Sequence, residues 1–272
     1  MTGLELRPLS LGEILDRTFS LYRRHFLVFI GISGIPQLIV LAFNLAQLFT
    51  TRSATTSAVT FNAVLILLML LANLFAYLFA QGGTILAVSD LYLGRSASIG
   101  GALRKVAGEL APLFGVIVLN GLAIGGAAIL LVIPGIYVAC RLLICLPAAL
   151  IEGRGPRESL SRSVDLTRDN AARAFVILLL SVVITLAAET IFTLPFTILA
   201  ESMRNSNLLL LWTAMIQVGS NIAAALVRPI LLIATSIFYY DLRVRKEAFD
   251  IQFMMNPESQ RVPNASSLPS II

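Results

Sequence analysis

The chain has 272 residues, 57% of them apolar and 13% charged, with a mean hydropathy of +0.88 and a formal net charge of +5. Soluble domains carry about 25% charged residues, so a surface that faces mainly water is excluded. The apolar residues fall in blocks long enough to cross a hydrocarbon core of about 30 Å, which predicts an all-α integral membrane protein.

The first 25 residues carry Glu5, Arg7, Glu13, Asp16, Arg17, Arg23 and Arg24. No apolar stretch precedes the first long span, so a cleavable signal peptide is not expected. Spans are expected at Phe26 to Phe49, at Phe61 to Phe79 with a possible extension through Gln81–Gly83 to Tyr92, at Pro112 to Ile133 and at Pro134 to Ile151. "IPG" is read as the tight turn between the last two. A fifth span covers Ala174 to Ala200. The sixth lies within Leu208 to Tyr240, too long for one perpendicular crossing at about 1.5 Å per residue. Gly219–Ser220–Asn221 is read as dividing it, with the crossing proper from Gly219 to Tyr240. Residues 1–253 form one polytopic domain on this reading. The tail 254–272, mixed in Pro, Ser and Asn, is expected to be a disordered cytoplasmic segment.

Of the 20 Lys and Arg, 16 lie before the first span, in the 93–111 and 152–173 loops and in the C-terminal tail, and two (Arg52 and Arg204) lie in the alternating loops. Basic residues concentrate on the cytoplasmic side of membrane proteins. The expectation is a multi-pass protein of the cytoplasmic (inner) membrane with both termini cytoplasmic.

Three basic segments can be superposed: Ser10 to Phe26, Ser98 to Phe114 and Gly155 to Ala171. Aligning Leu15, Leu103 and Leu160 brings Arg17, Lys105 and Arg162 together. Each segment opens with a helix-start signal: Ser10 with Glu13, Ser98 before Gly100 and Gly101, and Pro156 before Glu158. They are read as short amphipathic interfacial helices, each preceding a transmembrane hairpin, giving pseudo-repeats at about 10–92, 98–151 and 155–240. Arg17, Arg23, Arg24, Arg104, Lys105, Arg157 and Arg162 then form a candidate surface for lipid headgroups.

Arg141, Glu189 and Arg228 are the ionisable residues inside spans. Counting about 1.5 Å per residue along perpendicular helices puts all three near one level, so an intramembrane charge cluster is expected. It could lock three helices together or line a polar cavity; alternatively, each arginine could snorkel alone. Pro147, Pro195 and Pro229 would kink these helices or free backbone carbonyls. The polar residues Gln37, Gln81, Asn120 and Asn221 are read as contacts between helices.

Motifs of chemistry are missing from the sequence: no P-loop, dinucleotide fingerprint, HExxH or GxSxG occurs. Cys140 and Cys145, the only cysteines, are read as packing residues, and the single His25 as an interfacial anchor. No catalytic residue, metal, cofactor or nucleic-acid partner is expected.

Three stretches, "LRPLSLGEILDRTFSLYRRHF", "VIPGIYVACRLLICLPAALIEG" and "FYYDLRVRKEAFDI", together resemble one family. It is the bacterial membrane domain found attached to some glycerophosphoryl diester phosphodiesterases, and also found alone; the likeness runs from about Leu6 to Ile251. In the fusions a separate soluble barrel performs catalysis, so the resemblance implies no phosphodiesterase activity for this chain. Two functions follow as expectations. One is a non-catalytic module that binds or organises anionic lipids, or recruits a protein partner or a second copy. The other is a transporter or channel for a small anionic solute that uses Arg141, Glu189 and Arg228. A membrane-embedded enzyme ranks third.

Overall fold

The computed structural model describes residues 8–50, 56–204 and 208–247. In chain order the helices are α1 Leu11–Arg24, α2 Phe26–Thr50, α3 Thr56–Tyr92, α4 Ile99–Gly108, α5 Leu110–Leu130, α6 Val132–Arg141, α7 Cys145–Glu152, α8 Pro156–Thr167, α9 Ala171–Ser202 and α10 Leu209–Glu247. Among the described residues there is no strand. Six stretches are long and apolar enough to cross a membrane: α2, α3, α5, α6 together with α7, α9 and α10. Large apolar side chains lie exposed along them, including Leu38, Leu67, Leu122, Leu186 and Ile191. So broad an apolar exterior suits a lipid solvent rather than water, and the chain is a multi-pass membrane protein. The expected tail, 254–272, lies outside the described residues.

The short helices begin where their local chemistry predicts. Ser10 accepts from the Glu13 amide at 3.3 Å while its own amide donates to Glu13 Oε2 at 2.6 Å, a complete capping box. Ser98 Oγ accepts from the Gly101 amide at 3.2 Å. Gly155 caps α8, with Pro156 in its first turn. In the register that aligns Leu15, Leu103 and Leu160, the three helices bury equivalent positions: Ile14, Ala102 and Ser159, then Thr18, Val106 and Ser163.

Consecutive long helices pack against each other, α2 on α3, α5 on α6 and α9 on α10, and α10 against α2 closes the ring. Each short helix rests on the long helices that precede it: α4 on α3, α8 on α7, and α1, the first in the chain, on α10. The C-terminal half of α10 is the centre of this assembly. Ile233, Ile237, Phe238, Tyr239 and Tyr240 are almost wholly buried among α1, α3, α7 and α9.

Two local expectations are corrected. First, α10 runs unbroken through Gly219–Asn221. A Cβ at Gly219 would overlap the carbonyl oxygen of Phe192, so this glycine allows α9 and α10 to approach closely and does not divide the helix. Second, the turn between α5 and α6 is made at Leu131, in extended conformation, and "IPG" lies in the first turn of α6. Gly135 is needed there because a Cβ would press on Ala128 at 2.7 Å. The expected fourth span is present as one membrane-length stretch, Val132–Glu152, interrupted at residues 142–144. Pro147 falls in the first turn of α7, where its missing amide hydrogen costs nothing and its ring does not crowd a helical carbonyl four residues back. Pro36, Pro195 and Pro229 sit inside continuous helices.

Gly219→Ala should therefore destabilise the protein by about 1–3 kcal/mol, the usual cost of overpacking. Gly34→Ala, whose Cβ would meet only Ile30 at 3.9 Å, should be neutral or slightly stabilising. Thermal unfolding of the two variants in detergent checks the contrast.

Candidate functional site

Ion pairs with buried or half-buried carboxylates gather at one end of the helices, around the last two turns of α10. Asp241 has no solvent exposure. Its Oδ1 accepts from the Leu9 amide at 2.6 Å, and its Oδ2 pairs with Arg173 of α9 at 2.8 Å. Arg245, one turn on, donates to both carboxylate oxygens at 3.1 Å. The two guanidinium groups also converge on the Leu9 carbonyl, at 2.8 and 2.5 Å. Both backbone groups of a fully buried residue are thereby satisfied. Arg173 also stands over the Phe238 ring, 5.5 Å from its centroid. This clamp joins the start of α1, the start of α9 and the end of α10.

A second network lies alongside. Glu152, at the end of α7, accepts from Tyr239 Oη at 2.7 Å and from Arg162 Nε at 3.0 Å, and it also pairs with Arg154. Arg162 bridges from Glu152 to Glu247, which Arg243 holds at 3.0 Å. Its carboxylate partners outweigh its desolvation and hold the Arg162 guanidinium above its usual pKa. On α3, Asp90 pairs with Lys105 of α4 at 2.6 Å, Ser89 bonds to Tyr240 at 2.8 Å, and the Tyr92 and Tyr240 rings stack 4.6 Å apart.

The shared Leu-x-Arg/Lys register thus acquires a structural role. Lys105 and Arg162, equivalent in it, each pair with a carboxylate near the end of the preceding long helix. This corrects the reading of Arg162 as a lipid-headgroup cation: its side chain is only 18% exposed and bridges two carboxylates. Lys105 keeps about half of its exposure while paired. Arg17, the third equivalent, lies beside Tyr92. Arg23, Arg24, Arg104 and Arg157 are exposed.

The structure does not assemble the expected cluster of Arg141, Glu189 and Arg228: among the described residues no ion pair joins any two of them. Each is held separately. Arg141 ends α6, and its own carbonyl is released by the helix break, because the Cys145 amide bonds instead to Leu142 at 3.1 Å. Ser163 and Thr167 of α8 donate their hydroxyls to that carbonyl at 2.8 and 3.0 Å. The Arg141 side chain donates back to the Val164 carbonyl at 2.8 Å and to Tyr137 Oη at 3.1 Å. Arg141 therefore fastens α8 to a broken helix. Glu189 accepts from Ser220 at 3.4 Å. A shared level does not say which helices face one another, and Arg141 faces α8.

Arg228 belongs to a polar relay between α2 and α10. Asn221 donates its amide to the Gln217 carbonyl at 2.7 Å, which leaves its oxygen to accept from Gln37 Nε2 at 2.8 Å. The Gln37 oxygen then faces Arg228 Nη1 at 3.2 Å. Gln37 and Asn221 also line an apolar groove of about 330 Å³ between the two helices. Nearby, Tyr22 donates to the Leu226 carbonyl at 2.8 Å; burial raises its pKa to about 12, so the hydroxyl keeps its proton. A separate cavity of about 220 Å³ lies among α3, α5, α7 and α10, where the oxygens of Gln81 and Asn120 have no partner in the protein. Cys140 and Cys145 are free and buried. No group of three described His, Cys, Asp or Glu side chains is placed to hold a metal ion.

Sequence reading missed Asp241, Arg173, Glu152 and Glu247. The quoted stretch "YYDLRVRKEAFD" contained a signal, since Asp241 and Arg245 are spaced as a pair on one helix face. Asp241→Asn keeps an acceptor for Leu9 but removes the counter-charge of two guanidinium groups. It should cost about 3–5 kcal/mol, as breaking buried ion pairs does, while Glu201→Gln, in the exposed pair with Arg204, should cost at most about 1 kcal/mol. Denaturation in detergent compares them. The double variant Ser163→Ala, Thr167→Val should cost about 1–3 kcal/mol by orphaning the Arg141 carbonyl. Hydrogen exchange across residues 138–146 should rise with it; exchange unchanged from wild type would dismiss that role.

No curated protein and no solved structure matches the chain. One family model matches residues 68–242, from within α3 to one residue beyond Asp241, and is described as a domain of unknown function, DUF7847. The match covers well over half of the chain, which therefore belongs to the DUF7847 family.

Proposed function

We propose that the protein is a non-catalytic membrane module that holds anionic lipids at one basic end. The observation that carries this reading is how charge divides there. Asp90, Glu152, Asp241 and Glu247 are matched by guanidinium or ammonium groups inside the fold. Arg23, Arg24, Arg104 and Arg157 face outward, with no ion pair to a described residue. Each basic residue beside an anionic leaflet contributes about 1 kcal/mol.

The same proposal includes the membrane arrangement. The long helices form three hairpins, each led by a short amphipathic helix at the headgroup surface, with the basic end and both termini in the cytoplasm of a bacterial cell. The pairwise packing of consecutive long helices, the matched burial of α1, α4 and α8, and the distribution of Lys and Arg support it. The likeness to membrane domains attached to phosphodiesterases favours a role beside a partner enzyme. A transport path through Arg141, Glu189 and Arg228 receives no support from their separate partners.

Changing Arg23, Arg24, Arg104 and Arg157 together to Gln should lower binding of the purified protein to phosphatidylglycerol by at least about tenfold, given roughly 1 kcal/mol for each residue. Binding equal to wild type would defeat the proposal. Arg204→Gln, at the other end of the helices, serves as the control.

A further inference from the structure

Arg228 is the exposed cation that the fold explains least. It lies within a membrane-length helix, and its side chain donates to a neutral amide oxygen, that of Gln37. No described carboxylate lies within ion-pair distance. A guanidinium group has five N–H donors, and an intramembrane cation ordinarily finds an anion or water. The relay from Gln217 through Asn221 and Gln37 fixes which way the Gln37 oxygen points, so Arg228 is held at the groove rather than left to wander.

The groove itself is apolar. Ile30, Gly34, Leu38, Leu41, Val218 and Ile222 line it, and its volume of about 330 Å³ falls in the range of small-molecule sites, roughly 300–1,000 Å³. Gly34 contributes open space, since a Cβ there would meet only Ile30. Chain order puts Ile30 and Ala225 at the end nearer α1 and Arg228. The hydrogen bond from Tyr22 to Leu226 brings the last turn of α1, with exposed Arg23 and Arg24, to that end as well. An apolar trough lined by Gln37, whose amide oxygen holds the Arg228 guanidinium beside it, matches a molecule with an acyl chain and an anionic head.

We propose that the α2–α10 groove is a discrete site for one anionic lipid, with an acyl chain lying along Gly34 and Leu38 and the headgroup held by Arg228. Charge complementarity favours this occupant over a second copy of the chain. A two-fold contact through this face brings the same patch of both subunits together, and so sets one Arg228 near another. The site does not depend on the basic end acting as a lipid surface, and the two are separable by experiment.

Native mass spectrometry of the purified protein with phosphatidylglycerol or phosphatidylcholine tests it. Wild type should retain one phosphatidylglycerol in preference to phosphatidylcholine. Arg228→Gln, which removes the charged donor, and Gly34→Leu, which fills the trough, should each weaken that retention by about tenfold. Arg228→Lys should recover part of it. A variant with Arg104 and Arg157 alone changed to Gln should keep this single lipid while losing part of the weaker binding. Retention unchanged in Arg228→Gln or Gly34→Leu, with thermal unfolding like that of wild type, would overturn the site. Equal retention of both lipids would do the same, as would a Gly34→Leu change in the monomer–dimer ratio without a change in lipid.

Discussion

Asp241 is a carboxylate with no access to solvent, and the arrangement of the surrounding helices follows from what is needed to give both its oxygens partners. Its desolvation is offset by two guanidinium groups from different helices and by a backbone amide from the opposite end of the chain. Removing one partner from such a group leaves the others buried without compensation, so the constraint acts on all of them at once. Leu9 must reach α10, which sets the start of α1. Arg173 must reach the same carboxylate, which sets where α9 begins. The start of α1, the start of α9 and the end of α10 are joined at this point, and an apolar contact alone would not specify the register.

The break between α6 and α7 shows the same accounting applied to the backbone. A hydrocarbon environment offers no water to a released carbonyl, so a broken helix needs hydroxyl donors from elsewhere in the fold. Ser163 and Thr167 supply them, and this gives α8 a buried polar face that would otherwise be unfavourable. Arg141, which looks like a stranded charge in an apolar run, is part of this repair. Its position at the end of α6 also places positive charge at the negative end of the helix dipole.

The three short helices use one scheme with different chemistry. Each rests on the long helices before it, and α1 completes the circle by resting on α10. Thr18, Val106 and Ser163 occupy the same buried position, yet each meets a different neighbour. Lys105 and Arg162 pair with Asp90 and Glu152 in matching places, while the position of Arg17 is used otherwise. Such divergence leaves the helical spacing visible in the sequence and hides the partners.

The sequence by itself determined the features that neighbouring residues decide. Long apolar runs specify six membrane-length stretches, because hydrophobicity is summed locally. Ser10 with Glu13, Ser98 before its glycines, and Gly155 with Pro156 specify where the short helices start, because a cap reaches only three residues. Only the tertiary structure decided which charges meet. Leu9 and Asp241 are 232 positions apart, and Arg141 finds its partners on α8 rather than on the helices that carry Glu189 and Arg228. Gly219 was equally ambiguous: a glycine can end a helix or admit another backbone, and only the presence of Phe192 opposite it distinguishes the two. Depth counted along a helix does not say which helices are neighbours, and partner choice in a low-dielectric interior depends on distances that residue types alone do not set.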